Sequence, residues 1–184
     1  MRAIVIAGAS LRLEPYVFPY ITELLTQGFD ITAFVWIRDG QKDVKPDERV
    51  SVINYNELLD DAAPKKRKLT AFLRFRHAVS KELKNGNYDY LIIPGAQFAV
   101  LLSDVLLKKY CNRFIYDMRD PSYERLAIYR RRVAKIVDAA SGVFISSDGY
   151  RQYLPKSNKI YTTHNLRKED LKMAGLRNHY ERDH

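Results

Sequence analysis

A single cysteine, Cys111, occurs in a chain of 184 residues. That count excludes an internal disulfide framework and any zinc site built from several thiolates. A lone cysteine in this setting is expected to be a small buried apolar side chain. No apolar run approaches the roughly 20 residues that cross a bilayer. The amino terminus opens at once on an apolar run without the layout of a signal peptide, so a cytoplasmic protein is expected. H-E-x-x-H and other close histidine spacings are missing, and no protein-made catalytic metal site is expected. The G-x-S-x-G elbow of serine hydrolases is missing too. Acids are the charge in short supply, with Asp and Glu at 22 against 31 Lys and Arg, for a net charge of +9. Such an excess suits anionic partners: nucleic acid, phosphorylated ligands or an acidic membrane surface.

What the chain does have is the composition of a folded domain. A hydrophobic fraction of 46% with 29% charged residues excludes a fully disordered protein. Short apolar runs recur between amphipathic stretches. Strands are predicted at residues 3–7 (AIVIA), 31–36 (ITAFVW), 50–53, 90–93 (YLII), 113–116 (RFIY), 143–145 and 159–162. Helices are predicted from Pro15 to Gly28, over 66–84, 97–109 and 122–140, with a brief one at 148–154. Residues 38–49 are polar with one Gly and one Pro and read as loop. Strands alternating with helices predict an α/β fold, an open parallel sheet with helices on both faces. All strand carboxyl ends, and with them the ligand crevice, then lie on one edge. The stretch from about Leu166 reads as a polar helical tail, since Leu166, Leu171 and Leu176 are too few to build a domain.

Functional residues are therefore sought directly after each strand. Gly8 follows the first, where a glycine lets backbone approach a ligand or simply makes a turn. Its surroundings match neither G-x-G-x-x-G nor the phosphate loop G-x-x-x-x-G-K-[ST], which disfavours dinucleotide enzymes and P-loop NTPases. Gln97, after Pro94-Gly95-Ala96, either hydrogen-bonds a polar ligand or begins a helix. Asp117, Arg119 and Asp120 follow the strand FIY and form the densest polar group in the chain. Carboxylates bind sugar hydroxyls, and an arginine clamps a phosphate or a neighbouring acid. Asp120 before Pro121 equally suits a helix cap, and Asp117 and Arg119 equally pair with neighbours. Ser146 and Ser147 are expected to cap the next turn. His164 is of the type that titrates near neutrality, though a lone histidine is usually structural.

The helix predicted at 66–84 is strongly basic. Leu69, Phe72, Leu73, Phe75, Val79 and Leu83 share one arc, while Lys66, Arg67, Arg74, His77, Lys81 and Lys84 share another. Glu82 is the only acid between Lys65 and Lys84. Arg76 falls within the apolar arc and has to snorkel or find a partner. Lys65, Lys66, Arg67, Arg74, Lys81 and Lys84 are candidates for binding an acidic membrane, an attraction of about 1 kcal/mol per basic residue near the surface. Arg130, Arg131, Arg132 and Lys135 form a second cluster. Solvated cations kept for solubility are the plain alternative. No nucleic-acid motif accompanies the charge, and no nucleic-acid partner is expected.

The order of these elements resembles the amino-terminal domain of a GT-B glycosyltransferase of the family 4-like group, which builds capsular and other surface polysaccharides. The opening RAIVIAGAS with the helix EPYVFPYITELLTQGFDITAFVW is similar to the usual start. FIYDMRDPSYE resembles the strand and Asp-x-x-Asp turn facing the interdomain cleft, and GVFISSDGYRQYLP followed by IYTTHN resembles the segment closing that domain. The resemblance covers residues 1–165, with 166–184 as a tail or linker towards a missing carboxyl-terminal domain. It implies two Rossmann-like domains around one cleft, with the acceptor mostly on the first and the nucleotide-sugar donor mostly on the second. It also implies retention of configuration and no bound metal. By position, Gly8, Gln97, Asp117 and Arg119 would contact the acceptor, and Asp120 would be the catalytic candidate.

The chain departs from that pattern where the second domain should begin, and no pair of glutamates has the E-x7-E spacing of the donor half. This chain alone is therefore expected to bind no cofactor, to lack donor binding and to be inactive. The expectation is the acceptor half of a hexosyltransferase-type enzyme, peripheral on the inner face of the plasma membrane. Its partners would be a sugar or lipid-linked sugar acceptor, an acidic membrane surface and the donor domain. Two other readings stay open: a non-catalytic module for acidic lipid or phosphorylated glycan, and half of a sugar-nucleotide epimerase.

Overall fold

The computed structural model describes residues 1–120, 122–123 and 125–163. Seven strands are present: β1 (Arg2–Ala7), β2 (Asp30–Ile37), β3 (Val50–Asn56), β4 (Tyr90–Pro94), β5 (Phe114–Met118), β6 (Gly142–Ile145) and β7 (Ile160–Thr162). They form one parallel sheet in the order β3-β2-β1-β4-β5-β6-β7. The order reverses between β1 and β4, the position at which open α/β sheets form their crevice. β1 is buried on both faces, which is why AIVIA is apolar without alternation.

Each face has its own core. Ile21 and Leu24 of α1 (Phe18–Thr26), with Val17 just before it, pack onto Ala3, Val5, Ala7, Ala33 and Val35. The opposite face carries α2 (Lys65–Asn85), α3 (Ala96–Leu101), α4 (Ser103–Lys109) and α5 (Ala127–Ala139) over Ile4, Ile6, Trp36, Leu91, Tyr116 and Val143. Right-handed crossovers produce this division, because the chain first steps one way across the sheet and then the other. Residues 38–49 connect β2 to β3 without helix, as predicted, and leave an open groove of about 890 Å³ against one face of β3.

In α2, Phe75, Val79 and Leu83 are buried, and Phe75 stacks on Trp36 at 4.7 Å between ring centroids. Burying such a side chain contributes about 1.5–3 kcal/mol. Leu69 and Leu73, expected on the same arc, are exposed, since α2 rests on the sheet through a narrower stripe. Arg76 finds a partner: it donates 2.7 Å to the Leu101 carbonyl and pairs with Asp104 at 2.9 Å. No helix among the described residues is long and apolar enough to cross a membrane.

Four sequence expectations need correction. The helix at Pro15 begins as a 3-10 turn (Pro15–Val17) before α1. The helix predicted over 97–109 is broken at Leu102 into α3 and α4. The helix predicted from Ser122 starts at Ala127, so Asp120 does not cap α5. Its apolar contacts begin only with Val133, Ile136 and Val137, whereas Tyr123, Leu126 and Ile128 are exposed and give an earlier start nothing to pack. Cys111 is exposed, because it follows α4 at a turn where Asn112 takes a positive φ of 58°. The expected tail, His164 included, lies outside the described residues.

Candidate functional site

The carboxyl ends of β1, β4 and β5 meet at the reversal in strand order. Asp117 lies there on β5 with no exposed surface, and its Oδ2 collects three donors. Tyr20 of α1 donates at 2.9 Å, Arg119 Nε at 2.7 Å, and Arg119 Nη2 lies 2.6 Å away. Burial pushes the Asp117 carboxyl above the usual range, and the Arg119 charge and these hydrogen bonds only partly oppose it. The Arg119 guanidinium also lies over the ring of Tyr16 at 4.7 Å. Ser146, at the end of β6, donates 2.6 Å to the Arg119 carbonyl and ties β5 to β6.

Glu14, on the loop between β1 and α1, extends this network. Burial pushes its carboxyl up to about 8, against the hydrogen bonding of Tyr16 and of the Gly8 and Ala9 backbone and against the charge of Arg38. Tyr16 senses the charges of both Glu14 and Asp117, so the two acids belong to one electrostatic unit. The loop itself is held by Asp43, whose carboxylate accepts from the Leu11 N–H at 2.7 Å and the Arg12 N–H at 3.0 Å. Arg12 pairs in turn with Asp39.

Five side chains of this rim leave a buried polar atom without a hydrogen bond: Ser10 Oγ, Arg12 Nε, Glu14 Oε2, Arg38 Nε and Asp117 Oδ1. Such atoms are uncommon in folded proteins, and these five stand on this edge, while others, such as Ser80 Oγ on α2, lie away from it. A mixture of acceptors and donors is what a polyhydroxylated ligand satisfies. A carboxyl that titrates near neutrality also has the proton affinity wanted of a general acid or base.

Of the residues singled out from sequence, Gly8, Asp117 and Arg119 come together at this reversal. Gly8 is buried, and the ring of Phe98 fills the place of its missing side chain: an added Cβ would lie 1.9 Å from Phe98 Cε2. Asp120 is exposed just beyond β5. Gln97, on the first turn of α3, lines a neighbouring cavity of about 760 Å³ together with Arg38, Lys65 and Lys68. Lys65, Lys66 and Arg67 lie at the carboxyl edge of the sheet, whereas Lys81 and Lys84 lie at the far end of α2, some 20–30 Å away at 1.5 Å per residue. All five are exposed, and Arg74 between them pairs with Glu57. Ser147 caps the following 3-10 turn, accepting from the Gly149 N–H at 3.3 Å. No group of three or more His, Cys, Asp or Glu among the described residues is placed to hold a metal.

Glu14, Tyr16, Tyr20 and Arg38 were not singled out from sequence. A signal was available: Glu14 and Arg38 follow β1 and β2 at the same edge, and Tyr16 and Tyr20 share one helical face four residues apart.

No protein-family model matches the sequence, and neither does any curated protein. Solved structures do resemble the fold. A sucrose-phosphate synthase from Thermosynechococcus elongatus matches with a TM-score of 0.63 at 11% identity, over 89% of this chain and 48% of that one. A second structure of that synthase matches at 0.61 and 12% identity, covering 98% of both chains. UGT89C1 of Arabidopsis thaliana complexed with UDP matches at 0.57 and 11% identity, over 96% of this chain and 56% of that one. The chain spans about half the length of the first and third of these. At such identities the likeness is one of fold, and the fold is the Rossmann-like parallel sheet expected of one half of a GT-B architecture.

Proposed function

We propose that this chain is the acceptor-binding half of a glycosyltransferase that takes sugar from a nucleotide-sugar in surface or capsular polysaccharide synthesis. The supporting observation is the linked set Glu14–Tyr16–Arg119–Asp117–Tyr20, with its unsatisfied buried atoms, at the strand reversal of a fold shared with sugar-transferring enzymes. Asp120, exposed on the rim, orients the acceptor hydroxyl and is the catalytic candidate. Gly8 and Arg119 line the acceptor site, Gln97 borders it from the neighbouring cavity, and Asp117, expected from sequence to contact the acceptor, is fully buried and instead fixes Arg119 and Tyr20. The donor is held by a separate domain in a retaining reaction whose transition state has oxocarbenium character. Backbone N–H groups of that domain stabilise the departing diphosphate.

Two experiments test this. The purified chain, given a nucleotide-sugar and an acceptor, should show no multiple turnover until a donor domain is supplied; sustained turnover by the chain alone would defeat the split-site reading. The second concerns docking on the inner leaflet through Lys65, Lys66, Arg67, Arg74, Lys81 and Lys84. Co-sedimentation with anionic vesicles should weaken steeply with salt, and undiminished binding at high salt would argue against electrostatic docking.

A further inference from the structure

β3 closes one end of the sheet, and among the described residues no strand pairs with its outer edge. Such an edge presents unpaired N–H and C=O groups, which folded proteins usually blunt with lysine, proline, a bulge or brevity. The opposite edge, β7, is three residues long and directly follows Lys159. β3 has none of these protections. Its seven residues, VSVINYN, include no charge, no proline and no glycine. They pair with β2 in continuous register from Val50 to Asn56, and Ser51, Asn54 and Asn56 are exposed.

The charges flanking β3 fit a second copy of the same strand. Arg49 stands just before it and Glu57 just after, at equal distances in sequence from Ile53. Ser51, Ile53 and Tyr55 share one face, and Arg49 and Glu57 continue that alternation at either end. Ile53 and Tyr55 pack on the core beneath α2, and Tyr55 donates to Glu57 at 2.6 Å. A two-fold axis at Ile53 sets β3 antiparallel to its copy and places Arg49 of each chain opposite Glu57 of the other. Side chains directly opposite have Cβ atoms about 4.5–5.5 Å apart. Within one chain Arg49 pairs with Asp47 and Glu57 with Arg74, so the contact joins these pairs into a row of alternating sign. Sliding the copies by one pleat loses the match, since it sets Asp47 opposite Glu57 in one direction and Arg49 opposite Leu59 in the other. A net charge of +9 opposes indiscriminate self-association, so a local match of opposite charges is what selects this contact.

We propose that the chain pairs with a second copy of itself through β3, edge to edge and antiparallel about a two-fold axis at Ile53, so that two seven-stranded sheets become one. β1, which borders the crevice, lies two strands in from this edge, about 10 Å away. The pairing therefore leaves the crevice open, and the inference stands apart from the acceptor reading above. One pair of strands buries little surface, so the dimer is weak, with dissociation expected at about 10–100 μM.

The test uses the full chain carrying Cys111→Ser, which removes the exposed native thiol. Sedimentation equilibrium from about 5 μM to about 1 mM should show a monomer–dimer equilibrium. Asn54→Lys gives the edge a protective lysine and should weaken the dimer at least about tenfold. Arg49→Glu should do the same by setting two acids opposite each other. Arg131→Glu, the same change of charge on the exposed face of α5, should not weaken it. All three replaced side chains are exposed, and circular dichroism should report an unchanged fold. The register has its own readout. Ile53→Cys should form an intermolecular disulfide under mild oxidation well before Ser51→Cys, whose two copies stand about 13 Å apart along the strands. A monomer at every concentration would overturn the proposal and leave β3 to a different partner. A dimer that Asn54→Lys leaves intact would place the contact on another surface and overturn it equally. Equal effects of Arg49→Glu and Arg131→Glu would reduce the association to general electrostatics, and Ser51→Cys cross-linking as fast as Ile53→Cys would refute the two-fold at Ile53.

Discussion

Tyr20 and Asp117, separated by 97 positions in sequence, share a 2.9 Å hydrogen bond that joins α1 to the carboxyl end of β5. Arg119 bonds the same Oδ2, so one buried oxygen fixes a phenol and a guanidinium at the mouth of the crevice. Removing Asp117 frees both partners, whereas removing Tyr20 or Arg119 leaves the other on the same oxygen.

Arg119→Leu should be the most damaging single change at the rim. It leaves the fully buried Asp117 carboxylate without its counter-charge, a loss of roughly 3–5 kcal/mol. The Asp117 carboxyl already lies above the usual range, and losing Arg119 raises it further. A raised carboxyl is best tolerated when protonated, so the deficit should grow as pH rises. Urea unfolding at pH 5 and pH 8 checks both size and direction, and Asp117→Asn in the same chain should recover part of the loss.

Glu14 predicts a pH dependence of its own. Its folded value of about 8 exceeds the ordinary 4.5, so between those values the folded state keeps a proton that the unfolded state has released. Stability attributable to this group is therefore greatest below pH 4.5 and declines as pH rises towards 8. Glu14→Gln should remove that decline. The wild type should lose on the order of 2 kcal/mol relative to the variant across the interval, less than the whole shift implies because the carboxyl keeps some solvent contact. Unfolding curves at unit pH steps give the comparison.

Gly8→Ala introduces a methyl group 1.9 Å from the Phe98 ring. Overpacking of this kind costs about 1–3 kcal/mol or more, and a lowered denaturation midpoint with an unchanged slope should report it. Phe98→Leu in the same chain should relieve part of the strain. An innocuous Gly8→Ala would mean that the ring yields freely, and the crevice floor would then be softer than described.

The strands were legible because each is a short apolar run that the sheet buries, and parallel strands covered on both faces need no alternation. The break at Leu102 was not legible, since the apolar pattern runs straight through it. Cys111 and the late start of α5 were misread for a related reason: composition describes a residue's preference, and the turn or the packing surface decides. At the rim, Asp117 and Arg119 could be found from their position after an apolar run. Glu14 could not be weighed, because its proton affinity depends on enclosure by Gly8, Ala9 and Tyr16, and enclosure is a property of the folded loop. The link from Tyr20 to Asp117 likewise exists only once α1 crosses the sheet.

Sugar acceptance at this rim is tested most directly by titrating the isotopically labelled chain with methyl hexosides and, separately, with UDP-glucose, while following backbone amide shifts. Acceptor binding predicts saturable movement of Gly8, Tyr16, Arg119 and Asp120 with at least one hexoside, and no movement of those amides with UDP-glucose alone. Movement with UDP-glucose and none with any hexoside would contradict it, because the crevice would then be a donor site.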